Sequence, residues 1–233
     1  MPERPEQSHI NKEEFFARLA QAESLPILTA DEQSVLREQM TEQDFEKYYN
    51  LLRNFKNSET GKLEIEIDQI IKPNILFHAS QNGDILEFEP RAEKKRHPDD
   101  PAQIFASPSE AVSSFFIVSN DNDTAASGRW GKDRPWTLVI GDPEKFKTLD
   151  KGGWIYQLPT DSFTVNPNMG LGLFEWTSID PVVPTKKVYY DSGLKAMMDL
   201  GVRVYSMEPE EFKKFRASED QRQILDNLEP LSL

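Results

Sequence analysis

Asn74-Ile75-Leu76-Phe77-His78-Ala79-Ser80 reads as a β-strand: an apolar, β-favouring run carrying one imidazole and closing on small residues. After a polar turn comes Ile85-Leu86-Glu87-Phe88-Glu89-Pro90-Arg91, and then Gln103-Ile104-Phe105-Ala106-Ser107-Pro108-Ser109-Glu110-Ala111, a short strand that enters a helix through small residues. Much later stands Leu173-Phe174-Glu175-Trp176-Thr177-Ser178. Strands are predicted at 74–80, 85–88, 103–106, 136–141, 154–158, 162–165, 173–177, 186–190 and 202–206. Helices do not alternate with them, so the expected class is α+β with a mixed sheet, not a doubly wound parallel one.

Upstream the texture differs. Asn11 with Glu14, Thr29 with Glu32, and Thr41 with Asp44 are helix-start signals, each followed by an apolar stripe such as Phe45, Tyr48, Tyr49 and Leu52. Residues 11–56 therefore read as two or three amphipathic helices. Leu63, Ile65 and Ile67 alternate with Glu64, Glu66 and Asp68, which predicts a half-buried strand. Ser109–Val118 and Gly193–Leu200 carry helical stripes, and residues 208–228 read as a terminal helix. The expected organisation is a disordered tail at 1–10, a helical cap at 11–58, the α+β domain at 60–207, and a C-terminal helix and tail at 208–233.

A chain of 233 residues suits one core plus an appendage. Forty Asp+Glu against 27 Lys+Arg give a formal charge of −13, which opposes general attraction to nucleic acid or anionic lipid. The absence of cysteine removes disulfides, thiolate nucleophiles and Cys-ligated metals, and three histidines argue against a polyhistidine metal site. No metal is expected. No apolar leader or membrane-length run is visible, so a cytoplasmic setting is the expectation.

Several near-motifs fail on spacing. In Gly128-Arg129-Trp130-Gly131-Lys132 the first glycine of a phosphate loop is replaced by Ala126. Gly170-Leu171-Gly172 lacks a third glycine and runs toward a strand. Asp121-Asn122-Asp123 begins like a calcium loop, yet Lys132 stands where the bidentate Glu belongs. Ser192-Gly193-Leu194-Lys195 has none of the partner motifs of a Ser-x-x-Lys enzyme.

Taken in order, the strand with His78, the strand entering an Ala-bearing helix and the later strand-borne Glu175 resemble the ADP-ribosyltransferase superfamily. The resemblance is to its His-Tyr-Glu branch, that of diphtheria toxin and the poly(ADP-ribose) polymerases. Phe77-His78-Ala79-Ser80 is similar to the family's Tyr/Phe-His-Gly-Ser/Thr motif, and Glu89-Pro90-Arg91 to the opening of rifampin ADP-ribosyltransferases and tRNA 2′-phosphotransferases. The match covers about residues 74–206, and the stretch from Asp150 to Pro184 resembles uncharacterised bacterial and phage proteins of that fold.

The resemblance implies a split mixed sheet that binds NAD as substrate. Glu175 would be the catalytic carboxylate and His78 would hold a ribose hydroxyl. Ala79, Ser80, Arg91, Phe105, Ser107, Phe115 and Tyr156 would line the nucleotide site, with an acceptor of unknown identity, a protein among the options. The triad tyrosine would fall at Ile104 or Phe105, and Leu173 breaks the Glu-x-Glu pattern of arginine-directed transferases. The alternative is therefore an inactive module of the same fold that binds a nucleotide or a protein partner; RNA 2′-phosphate transfer is weaker, since only Arg91 matches its phosphate-binding arginines.

Read without the family, His78 is a hydrogen-bonded sheet histidine, Glu175 an edge-strand carboxylate, and Phe115 and Phe116 a core stripe. Arg91 opens a basic stretch, 91–97, that Glu93, Asp99 and Asp100 offset.

Overall fold

The first three helices begin where the side chains can cap them. In the computed structural model, which describes residues 10–92, 101–119, 121–131 and 134–232, these are α1 (Lys12–Gln21), α2 (Ala30–Gln39) and α3 (Glu42–Leu52). Thr29 with Glu32 and Thr41 with Asp44 form reciprocal capping boxes. Asn11 caps α1 through the Glu13 N–H at 2.8 Å, without the reciprocal half expected from Glu14.

The helices bury Phe15, Phe16, Leu19, Leu36, Phe45 and Leu52 in a core that continues through Leu76, Phe174 and Trp176 to Val204. Two tyrosines of α3 fasten this layer to the chain entering the first strand. The Tyr48 hydroxyl accepts the Ile71 N–H at 3.2 Å, and the Tyr49 hydroxyl donates to the Ile71 carbonyl at 3.0 Å. Both groups of one buried peptide residue are thereby satisfied.

The strands form three sheets of three. β1 (Leu76–Ser80), β5 (Gly153–Leu158) and β8 (Lys186–Tyr190) lie in the order β1-β5-β8, all antiparallel. β2 (Ile104–Ala106), β7 (Trp176–Ser178) and β6 (Thr164–Val165) lie in the order β2-β7-β6. β3 (Ala125–Gly128) pairs antiparallel with β4 (Thr137–Ile140), and β4 pairs parallel with β9 (Arg203–Ser206). Phe77 and Ser107 exchange backbone bonds of 2.7 and 2.9 Å, which splice the first sheet to the second.

Alternation along β1 puts Phe77 and Ala79 on one face, packed with Ile155, Ile117 and Ala196 of α6 (Gly193–Asp199). Leu76 and Tyr156 belong to the main core on the opposite face. Asp150 joins the start of β5 to α6. Its carboxylate accepts from the Gly152 N–H (3.1 Å), the Gly193 N–H (2.6 Å), the Leu194 N–H (3.1 Å) and the Ser192 hydroxyl (2.8 Å). Beyond the third sheet, Val139, Tyr205 and Met207 pack against Phe212 and Phe215 of α7 (Pro209–Ala217) and Leu225 of α8 (Gln221–Asp226).

The α+β class holds, with eight helices and three small sheets among the described residues, while several expected elements differ. The alternation at Leu63–Asp68 makes no strand: Leu63 forms one isolated bridge to Lys56, and Ile67–Gln69 is a 3₁₀ turn. Leu63 and Ile65 rest against the core while Ile67 stays 54% exposed, so the alternation reflects one-sided burial without a partner ladder. Residues 85–88 contribute a single bridge, Phe88 to Val182.

At 173–177 a 3₁₀ turn, Gly172–Phe174, precedes the strand, which starts at Trp176. The helix expected at 109–118 is the short α4 (Glu110–Ser114), and the terminal helix is broken at Ser218, which is extended. β3 and α5 (Pro143–Leu149) were not expected. The tail at 1–9 and the basic stretch from 93 to 97 lie outside the described residues.

Candidate functional site

His78 sits half-buried in β1, in register with Tyr156 of β5. Its Nδ1 is 2.6 Å from the Phe105 carbonyl oxygen. A carbonyl only accepts, so Nδ1 carries the proton and donates it. Burial pushes the imidazole pKa below its ordinary value; the Phe105 bond opposes that shift, and the positive charge of Arg91 adds to it. The ring is therefore neutral at pH 7, with the Nε2 lone pair as its acceptor.

Aromatic groups fix this imidazole. Phe88 lies 4.6 Å from it, centroid to centroid, at 60°, and Phe88 in turn meets Tyr156 edge-on at 5.1 Å. Tyr156 is fully buried, its hydroxyl donating to the Asn82 carbonyl at 2.7 Å. Ser80, on the His78 side of β1, accepts the Asn82 N–H at 3.1 Å, so the turn after β1 folds back over the same face. Only glycine fits at 83, because a Cβ there would lie 2.4 Å from the Trp154 indole nitrogen. Lys187 spans this wall, 4.7 Å above the Trp154 ring and bonded to the Gly83 carbonyl.

The expected site residues divide. His78, Ser80, Tyr156, the Phe105 carbonyl and the charge of Arg91 come together; Arg91 is exposed and paired backbone-to-backbone with Gln103 at 3.1 Å. Ala79 points to the opposite, apolar face of β1. Ser107 is buried, its hydroxyl accepting the Ser109 N–H at 3.2 Å. Phe115 is a core residue, edge-on to Trp136 at 6.2 Å, while its neighbour Phe116 is 60% exposed.

Glu175 precedes β7, which is reached from β1 through the Phe77–Ser107 bridge to β2 and the β2–β7 ladder, where Ala106 faces Trp176. Its half-buried carboxylate accepts the Leu171 N–H at 3.3 Å and lies against Gly170, where a Cβ would come within 2.3 Å of it. Gly170 has φ +51°, so glycine serves there twice. In front of this loop opens a cleft of about 660 Å³, lined by Arg53, Lys56, Lys62, Arg129 and residues 167–173. Sequence reasoning missed these four cations, and also Phe88 and Lys187. The Gly170/Gly172 doublet was the available signal for the loop, but nothing local linked it to residues 53–62.

Among the described residues no cluster of three or more His, Asp or Glu side chains is placed to hold a metal ion, and no helix is long and apolar enough to cross a membrane. Compared with protein-family models, with curated proteins and with solved structures, the chain matches none.

Proposed function

We propose that the chain is an ADP-ribosyltransferase-like protein that takes NAD on the His78 face of β1. The observation that carries this reading is the fixed tautomer of His78. With Nδ1–H committed to the Phe105 carbonyl and the ring neutral, Nε2 is an oriented acceptor suited to a ribose hydroxyl. Glu175, which sequence order assigns as the catalytic carboxylate and which stands just before β7, would stabilise the oxocarbenium character that develops at the ribose as its bond to nicotinamide breaks. The bonding pair leaves with nicotinamide, and an acceptor nucleophile forms the new bond to the ribose carbon as it loses a proton.

A second reading is a non-catalytic nucleotide-binding or partner-binding module of the same architecture. It is favoured by Ile104 or Phe105 in place of a triad tyrosine and by the engagement of the Glu175 carboxylate with the Leu171 N–H. One pair of measurements separates the two: calorimetric titration of NAD into wild type and His78→Ala, and nicotinamide release by wild type and Glu175→Gln. Binding lost in the first variant and release lost in the second support the transferase. Binding without release supports the module, and no NAD binding by the folded wild type overturns both nucleotide readings.

A further inference from the structure

The cleft in front of the Gly170 loop concentrates positive charge in an acidic chain. Arg53 lies over the Phe174 ring at 5.4 Å and Arg129 over Trp136 at 5.1 Å, and those two rings meet edge-on at 5.0 Å. The two guanidinium groups thus share one aromatic platform. Burial and the charge of Arg129 both lower the Arg53 pKa, as expected for cations held near each other away from water. Glu46 reaches Arg129 at 3.4 Å, whereas among the described residues no carboxylate pairs with Arg53, Lys56 or Lys62.

The walls are tied before any ligand arrives. Asn168 accepts the Leu63 N–H at 2.7 Å and donates to the Leu63 carbonyl at 3.2 Å, clamping the glycine loop to the Lys56–Leu63 turn. Gly170 and Gly172, both with positive φ, present bare backbone at two positions of that rim. The Glu175 carboxylate lies against Gly170 but does not line the cleft, whose lining charges are those of Arg53, Lys56, Lys62 and Arg129. A volume near 660 Å³ suits a small molecule.

We propose that this cleft binds a phosphoanhydride, the pyrophosphate group either free or as part of a nucleotide. Arg53 supplies a planar fork for two phosphate oxygens, and Lys56 and Lys62 add point charges at the open end. This assignment is independent of the His78 site.

The test is calorimetric titration of inorganic pyrophosphate into the full chain at low ionic strength. Saturable binding is expected, weakened at least about tenfold in Arg53→Gln and in the double variant Lys56→Gln/Lys62→Gln. Both lysines are exposed, so the double variant keeps the test valid if Arg53→Gln fails to fold. Lys213→Gln, an exposed change on α7, should bind as wild type does. ATP binding tighter than pyrophosphate assigns a nucleotide; equal or weaker binding assigns the free anion. No saturable binding up to about 10 mM pyrophosphate, or wild-type affinity in the cleft variants, overturns the proposal.

Discussion

The His78 imidazole and the Phe105 carbonyl are joined at 2.6 Å, a side chain of β1 locked to the main chain of β2 beside the Phe77–Ser107 splice between two sheets. The bond makes His78 a structural strut as well as an oriented acceptor.

Because the folded imidazole has a pKa below its ordinary 6.5, the unfolded chain takes up a proton that the folded chain refuses as pH falls through that value. Stability is therefore complete above 6.5 and declines below it. In wild type the melting temperature should drop between pH 7 and 5, with a smaller drop in His78→Gln. Nitrogen NMR should show Nδ1 protonated and Nε2 bare at pH 7; an Nε2–H tautomer would contradict the assignment.

Asp150 shows the opposite dependence. Burial pushes its pKa up, but the N–H groups of Gly193 and Leu194, the Ser192 hydroxyl and the Gly152 N–H together bring it below the ordinary 3.8. Its contribution is present above that value and is lost as pH falls through it. Asp150→Ala should cost about 2–4 kcal/mol at pH 7 by urea unfolding, with the gap to wild type narrowing toward pH 3. A loss under about 1 kcal/mol would show that β5 and α6 do not depend on this carboxylate.

A Cβ at Gly141 would fall 2.0 Å from Cδ1 of Phe212, itself buried in the C-terminal helical layer. Gly141→Ala is expected to destabilise by about 2–3 kcal/mol by displacing that ring. Added to Phe212→Ala, the same change should cost less than about 1 kcal/mol, since the obstacle is gone. Additive losses would disprove the contact.

The clasp on Ile71 predicts unequal effects. Tyr48→Phe strands a buried N–H and should cost about 1–3 kcal/mol. Tyr49→Phe leaves a carbonyl and should cost about 0.5–1.5 kcal/mol. Chemical denaturation measures both; two neutral variants would mean that α3 is held by its apolar face alone.

Local chemistry made much of this legible. Thr29, Thr41 and Ser192 start helices because their hydroxyls cap them, and the strands around His78 and Trp154 carry enough apolar side chains to be recognised. β3 was not legible, since Ala125-Ala126-Ser127-Gly128 has little strand preference and is extended by its pairing with β4. The start of α5 is written in Asp142-Pro143, a cap followed by proline at the first helical position. Phe115 and Phe116 lie in the turn that follows α4, where Phe115 packs against Trp136 and Phe116 is exposed, a split the helical stripe in the sequence does not carry. For the same reason the cationic cleft was invisible: its charges come from residues 53–62 and 129, and the net charge of −13 hides them.

β4 is buried at all four residues, and one of its two neighbours, β9, follows it by some sixty residues. During synthesis, Thr137-Leu138-Val139-Ile140 therefore emerges with an unpaired, apolar edge that stays open until Arg203–Ser206 arrives. That interval is when a nascent chain is most exposed to association with its neighbours, and a charged substitution on β9 should raise aggregate yield more than it lowers the melting temperature of the molecules that complete the sheet.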